Sequence, residues 1–302
     1  MAQLRNGLVL LFISATLTAP VAAQPAQDPA TSDDEIIVTG RTPEDARLHA
    51  ETALQRMGVA RGHRQAARWL DPVCPTVSGL REDHAELVKD WVLERAADVD
   101  VPAGQDDCKP NIKIVFVEDG LDLLQNMRSR HPRYFGQVTG GDRSDLLSTP
   151  APVRCLYTTE HRGKSGDRMT RSNMLTLATG GVDIPIGGGG GEGPMFLPNA
   201  GGTRIGAETQ RVLLSATIIV DKNEAHGTPL KSVAEHAAFL AFAEMRPADG
   251  AHPDSILGLF DEVPVTTWTE MDRSFMKKLY AMPMAKKARH QRRMLVNAMS
   301  GK

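Results

Sequence analysis

One apolar segment in the C-terminal third constrains the fold more than any other part of the sequence. The segment QRVLLSATIIVD is apolar almost throughout from residue 212 to residue 220. An uninterrupted run of this kind is typical of a strand whose two faces are both covered, because neither face then needs polar side chains. The sequence therefore predicts a buried strand here, inside a sheet with helices packed on it.

A turn and a helix are predicted directly after that strand. Residues 220–247 read VDKNEAHGTPLKSVAEHAAFLAFAEMRP, and this segment carries one adjacent Glu-His pair, Glu235 and His236. The spacing of its apolar residues predicts a helix with one buried face. That face contains Val233, Ala237, Leu240 and Ala241.

The other segments mix helical and strand patterns. Thr42 is a predicted N-cap with Pro43 in the first helical position, and Gly58 ends that helix. A second helix is predicted in LREDHAELVKDWVLERAADV, with one face formed by Leu80, His84, Leu87, Val88, Trp91, Val92 and Ala96. Strands are predicted in NIKIVFVEDG and VRCLYTTEHRG, and a further helix in TTWTEMDRSFMKKLYAMP, capped by Thr269. The predicted fold class is α+β, a mixed sheet with packed helices, a helix-rich N-terminal part and a basic C-terminal helix.

The first residues predict export. In MAQLRNGLVLLFISATLTAPVAAQPAQ a positive residue, Arg5, precedes an apolar stretch and a small-residue cleavage site before Gln24. We predict a signal peptide over residues 1–23, a disordered leader over 24–42 and one domain over 43–302. An uncleaved anchor is the alternative. No later segment is apolar enough to span a bilayer, so the predicted location is the periplasm or the exterior.

Composition argues against a nucleic-acid partner. The formal net charge is −2 and aromatic residues make up 5% of the chain. A nucleic-acid-binding domain needs a strong basic field, and single-strand binding also needs stacking platforms. The run of glycines at 187–191 is followed by Glu192 rather than by a lysine and a helix, so it does not match a phosphate-binding loop.

The predicted export determines how the three cysteines are interpreted. Cys74 and Cys108 lie in proline-containing loops that flank one predicted helix, and Cys155 lies in a predicted strand. An oxidising compartment favours one bridge and one leftover thiol. We predict a Cys74–Cys108 disulfide and a packed, unbridged Cys155.

Two short segments have a functional and a structural interpretation. DEIIVTGR, residues 34–41, resembles the segment after the signal peptide of TonB-dependent outer-membrane receptors, which predicts an accessory of an outer-membrane transport system. The preferred interpretation is an edge strand or a linker.

The C-terminal helix either contacts an anionic surface or is a solvated amphipathic helix, and we prefer the solvated helix. Its basic residues are Lys286, Lys287, Arg289, Arg292 and Arg293.

The C-terminal third also resembles a known family. A strand, the helix AEHAAFLAFAEM, a loop with SILGLF and then TEMDRSFMKKLY are similar in order to the zincin-like domain of metzincin zinc proteases, matrixins especially. The residues that match the last helix are Thr269, Asp272, Met276, Leu279 and Tyr280. The chain also resembles an uncharacterised family of secreted bacterial proteins with degenerate zincin-like domains. The resemblance covers about residues 110–283 and implies a zincin-like sheet with a substrate cleft.

The metal chemistry of that family is missing from the helix. Zincins need His-Glu-x-x-His, in which two histidines bind zinc and the glutamate activates water. With His236 in the first position, Ala237 and Leu240 stand where the glutamate and the second histidine belong. A noncanonical zinc site remains an alternative. Its candidate ligands are His226, His236 and His252, with Glu244 or Asp254 as the carboxylate.

These observations predict a noncatalytic protein of the cell envelope that needs no cofactor. Its predicted partner is a protein or peptide bound along an exposed sheet edge. The alternative is a divergent zinc-dependent hydrolase that uses His236 with ligands outside its helix.

Overall fold

The computed structural model describes residues 42–138, 140–148, 151–168, 170–171, 174–176, 183–185, 195–196, 207 and 209–301, which belong to one compact unit. The predicted signal peptide, the segment 34–41 and the glycine run at 187–191 lie outside them. The α-helices are α1 (Pro43–Met57), α2 (Glu82–Asp98), α3 (Gly120–Arg130), α4 (Gly140–Ser148), α5 (Leu230–Phe242), α6 (Glu270–Ala281) and α7 (Ala288–Met299). The strands are β1 (Ala67–Arg68), β2 (Pro75–Ser78), β3 (Ile112–Val117), β4 (Val153–Gly163), β5 (Thr170–Arg171), β6 (Met174–Thr176), β7 (Asp183–Pro185), β8 (Met195–Phe196) and β9 (Thr209–Asp221). Two 3₁₀-helices span Pro132–Phe135 and Ile256–Phe260.

The five-stranded sheet is organised around β9. On one side of β9, β3 and the short β1 run parallel to it, and β2 runs parallel to β3. On the other side, β4 runs antiparallel along almost the whole of β9, with a bulge at Thr158 and Thr159. The sheet is therefore mixed, which confirms the predicted α+β class. Within the described part of the chain, β4 pairs with β9 alone among the strands of this sheet, so it is an edge strand.

Both faces of the sheet are covered, which explains the apolar run of β9. Neighbouring residues of a strand point to opposite faces. Tyr157 and Ile218 belong to the main core, where α2 packs against α5. Leu156 and Ile219 belong to a second core beneath α3, with Leu124, Phe135 and Val138. A strand between two cores needs apolar side chains on both faces, as the sequence predicts.

Helix α1 begins and ends where its sequence signals lie. The Thr42 hydroxyl accepts a hydrogen bond of 3.1 Å from the N–H of Asp45. Gly58 ends the helix in the left-handed region, with φ at 68°. A Cβ at this position would overlap the backbone carbonyl of Arg246, so glycine is needed for space as well as for conformation. This contact joins α1 to the loop after α5.

Helix α6 is joined to the preceding loop by one buried carboxylate. Thr269 and Asp272 form a capping box. Asp272 also accepts hydrogen bonds from the Ser255 hydroxyl at 2.6 Å and the Ile256 N–H at 2.8 Å. Burial raises the pKa of Asp272, and these hydrogen bonds oppose that shift. The carboxylate therefore fixes the 3₁₀-helix Ile256–Phe260, whose side chains border the site described below.

The predicted disulfide is present. Cys74 and Cys108 are bonded, with their Cα atoms 5.9 Å apart. The bridge connects the start of β2 to the loop before β3. Among the helices that the structure describes, none is long and apolar enough to cross a membrane.

Candidate functional site

A cleft lies at the outer edge of the sheet, and we call it the edge cleft. Its volume is about 600 Å³. One side is formed by α4, and another by residues 245–261. Its central lining residues are Val153, Arg154 and Cys155 of β4, His236 and Leu240 of α5, and Phe260.

The backbone of β4 presents hydrogen-bonding groups towards this edge. The Asp221 N–H donates to the Pro152 C=O at 2.9 Å, so the pair at this position is a hydrogen-bonded one. Because such pairs alternate along an antiparallel ladder, the backbone groups of Val153, Cys155 and Tyr157 face away from β9. Val153 and Cys155 are partly exposed, so their outward N–H and C=O groups are accessible to an added strand, whereas Tyr157 is buried.

A side-chain amide already uses this edge further along β4. The Thr159 N–H donates to Gln137 Oε1 at 2.9 Å, and Gln137 Nε2 donates to the Thr159 C=O at 2.7 Å. These are the two bonds that a residue of an adjacent strand would make. The outer edge of β4 thus accepts an amide group with strand-like geometry.

His236 lies at the base of the edge cleft in an apolar environment. It is 5% exposed, and its ring meets Phe260 edge to face at 5.3 Å. Its Nδ1 atom is buried and has no hydrogen-bond partner among the residues described. Burial, together with the neighbouring His252, lowers the pKa of His236 to about 3. The imidazole is therefore neutral at neutral pH, with an unpaired polar atom beside the cleft.

We expect this histidine to make the fold sensitive to acid. An imidazole in the unfolded chain has a pKa near 6.5, so between that pH and about pH 3 the unfolded state binds a proton that the folded state does not. Stability that is complete above about pH 6.5 is then lost as the pH falls, by roughly 1.4 kcal/mol per pH unit from this residue. Urea unfolding from pH 7 to pH 4 measures the slope.

The variant His236→Phe is the comparison for that experiment. It removes the titrating group and the unpaired nitrogen, so its free energy of unfolding is expected to depend less steeply on pH. Carboxyl groups contribute equally to both proteins and cancel in the difference. Equal slopes for the two proteins would show that His236 is not the buried neutral group described here.

The predicted metal candidates do not all meet. His236 and His252 both line the edge cleft, but His226 lies exposed in the turn after β9. Asp254 contacts His49 Nε2 at 2.6 Å. In the described part of the chain, no group of three His, Cys, Asp or Glu side chains is arranged to hold a metal ion.

Both glutamates of the α5 segment have structural contacts. Glu235 accepts a hydrogen bond of 2.6 Å from the Thr267 hydroxyl, and its backbone carbonyl accepts one from the Trp268 indole. Glu244 forms a buried ion pair with Arg211, including a bond of 3.0 Å. These carboxylates hold neighbouring segments together.

Cys155 is a free cysteine at the cleft wall. Burial raises the pKa of its thiol to about 12. A thiol with this pKa is protonated at neutral pH and is a poor nucleophile, because the thiolate is the reactive form. This agrees with the prediction that Cys155 serves packing.

Arg246 lines the same cleft and lies within ion-pair distance of two carboxylates. Its Nε lies 3.4 Å from an Asp142 oxygen and its Nη2 lies 3.8 Å from a Glu244 oxygen. Neither nitrogen makes a hydrogen bond to any residue that the structure describes. Buried polar atoms are nearly always paired in folded proteins. Arg246 was not predicted as a site residue, because its position depends on how the loop after α5 packs against α1, where the Arg246 N–H donates to the Met57 C=O.

The chain matches no family model, no curated protein and no solved structure. The resemblance to metzincins therefore stays a prediction.

Proposed function

We propose that this is an exported, noncatalytic protein with a degenerate metalloprotease-like fold, and that it binds an extended segment of a partner protein along the outer edge of β4. The bound segment would add a strand to the sheet and place one side chain in the edge cleft. The observation that carries this proposal is the pairing of the Gln137 side-chain amide with the Thr159 backbone. Strand addition uses the same pair of bonds, repeated at every second residue.

The chemistry of the cleft supports a peptide as the occupant. A peptide supplies both carbonyl acceptors and N–H donors, so it can pair with the outward-facing backbone groups of Val153 and Cys155. The apolar residues at the base favour an apolar side chain on the peptide. These residues are Leu240, Met245, Leu257 and Phe260.

The noncatalytic part of the proposal rests on the side chains of the cleft. The helix lacks His-Glu-x-x-His, and Glu235 and Glu244 already accept hydrogen bonds from neighbouring segments. The Cys155 thiol is held in its unreactive form. With these groups engaged or unreactive, the cleft suits a protein that holds its partner without cleaving it.

Peptide selection tests this function. Peptides selected from a random displayed library on the purified protein are synthesised, and their affinities are measured by fluorescence anisotropy. We expect N-methylation of the peptide backbone to weaken binding by about tenfold or more at every second residue, because strand addition uses alternate N–H groups. A library that yields no binder, or N-methylation effects without this alternation, would contradict strand addition.

A matched pair of variants locates the binding site. Asp145 is exposed on α4 and lines the edge cleft, whereas Asp90 is exposed on α2 and lies outside it. Asp145→Arg is expected to weaken binding about tenfold or more by obstructing the cleft, and Asp90→Arg, with the same change in charge, is expected to leave it unchanged. Equal effects of the two substitutions would place the peptide elsewhere.

The divergent zinc hydrolase is the second candidate, because His236 and His252 line one cleft. Stoichiometric zinc in the purified protein, lost in His236→Ala, would support it and count against the noncatalytic proposal. Residues 34–41 suggest a third candidate, an accessory of an outer-membrane transport system. A partner protein whose capture by this protein requires residues 34–41 would support it.

A further inference from the structure

A second cavity differs from the edge cleft in that arginine and lysine side chains dominate its lining, and we call it the basic cavity. Its volume is about 1280 Å³. It lies between residues 62–65, the turn at 136–138, the paired ends of β4 and β9, and the start of α7. Its charged or titratable lining residues are His63, Arg64, His161, Arg211, Lys287, Arg289 and Arg292.

Cations dominate this lining. Five of those seven residues are arginine or lysine, and none of the described residues that line the cavity is acidic. Behind the wall, Glu244 balances Arg211 and lies 3.5 Å from Arg64. The described lining therefore carries cationic and neutral side chains only, which gives it a positive potential.

The arrangement of the arginines is partly fixed before any ligand binds. Arg292 donates to the backbone carbonyls of Ala60 and Gly62, the latter at 2.7 Å. Bonds to carbonyls orient the guanidinium without neutralising its charge. Arg211 is 5% exposed and is held by Glu244 and by a bond of 2.9 Å to the Thr159 hydroxyl. Fixed cations lose little side-chain entropy when an anion arrives.

The start of α7 contributes a second, independent source of positive potential. Lys287 is the N-cap residue of this 12-residue helix, and its side chain does not cap the first turn. The first turn contains no acidic residue, and Lys287, Ala288 and Arg289 line the cavity. A helix N-terminus offers N–H donors and the positive end of the helix dipole to an anion.

The neighbouring surface continues the same charge. A cavity of about 840 Å³ beside α1 shares Arg289 and Arg292 with the basic cavity. Its other arginines are Arg47, Arg56, Arg61 and Arg293, and the lining also contains Glu51, which pairs with Arg47 at 2.9 Å. The two cavities together are suited to a ligand that carries more than one anionic group.

We propose that the basic cavity binds a ligand with two or more phosphate groups, either as a free oligophosphate or as the headgroup of a lipid. Guanidinium groups and a helix N-terminus are the groups that proteins most often use to hold phosphate oxygens. The volume exceeds what one phosphate fills. The inferred role of α7 thus differs from the solvated helix predicted from sequence, because its first turn faces a cavity.

Binding of inorganic phosphates tests the proposal on the purified protein. Isothermal titration calorimetry with phosphate, pyrophosphate and tripolyphosphate is expected to show affinity that rises with the number of phosphate groups. The double variant Lys287→Gln/Arg289→Gln changes two exposed side chains and is expected to bind tripolyphosphate at least about tenfold more weakly. The double variant Lys109→Gln/Lys277→Gln removes the same charge outside the cavity and is expected to bind as the original protein does.

A vesicle arm distinguishes the two sources of phosphate. Cosedimentation is measured with phosphatidylcholine vesicles with and without a lipid that bears two phosphates. Binding to the phosphate-bearing vesicles that Lys287→Gln/Arg289→Gln abolishes identifies a headgroup, and binding of tripolyphosphate alone identifies a soluble ligand. Equal binding by the cavity variant and the control variant, or no binding in either arm, overturns the proposal. Unfolding curves of both variants verify that they remain folded.

Discussion

Replacing Glu244 with alanine is expected to lower the free energy of unfolding by about 3–5 kcal/mol, because the substitution leaves Arg211 buried without its counter-ion. Both side chains are more than nine-tenths buried, and they are joined by two hydrogen bonds. Glu244 also lies within 4 Å of Arg64 and Arg246. Urea unfolding monitored by circular dichroism measures the loss.

The double variant Glu244→Leu/Arg211→Met distinguishes the contribution of the ion pair from the cost of leaving one buried charge unpaired. Removing both charges avoids an unpaired buried ion, so the double variant is expected to lose less stability than Glu244→Ala alone. The exposed pair Arg47–Glu51 is the control, since Glu51→Ala is expected to cost less than about 1 kcal/mol. A loss of that small size for Glu244→Ala would mean that the buried pair contributes no more than a surface pair.

This ion pair bears on function as well as on stability. Glu244 was a candidate metal ligand from sequence, and its carboxylate is instead bonded to Arg211 at the junction of β9 with the loop after α5. Arg211 also lines the basic cavity. The pair therefore forms part of the wall between the basic cavity and the segment that borders the edge cleft.

Removing the Cys74–Cys108 disulfide is the second change with a large expected effect. The cysteines are separated by 34 residues, and the chain-entropy relation gives a loss of roughly 4 kcal/mol for a loop of that size. The double variant Cys74→Ser/Cys108→Ser is expected to show this loss in urea unfolding. Reduction of the original protein should lower its stability by a similar amount and leave the variant unchanged.

Cys155→Ala is the matched control, since Cys155 forms no bridge. It is expected to cost well under half of the effect of the double variant. Equal stabilities of the double variant and the original protein would show that the bridge does not constrain the unfolded chain.

The elements with local signals were predictable from the sequence. Thr42 and Gly58 set the ends of α1 because capping and left-handed backbone geometry depend on adjacent residues. The capping box of α6 and the apolar strand β9 are signals of the same local kind. The disulfide was predictable because only three cysteines are present and two of them flank one helix.

Features that depend on tertiary neighbours were not predictable. Leu87 was placed on the same face of α2 as Val88 and Val92 but is 44% exposed, since the burial of a helix face depends on where its neighbours end. The short strands β1 and β2 have no periodic signal, because they are held by pairing with β9 and β3.

The two cavities illustrate the same limit. His236 was singled out as a residue of the helix, but its unpaired nitrogen and its contact with Phe260 depend on the loop after α5. The basic cavity gathers residues from widely separated segments, and the overall charge of −2 conceals them. The net charge is a sum over the whole chain, so it does not reveal that basic side chains are concentrated in one part of the surface.

Amide hydrogen exchange of β4 tests the central claim most directly. In the free protein the N–H groups of Val153 and Cys155 face away from β9, so they are expected to exchange faster than those of Arg154 and Leu156. Saturation with a selected peptide is expected to slow the exchange of the Val153 and Cys155 amides by about tenfold or more, because they become paired with a new strand. Unchanged exchange at both amides while the peptide is bound would contradict binding along this edge.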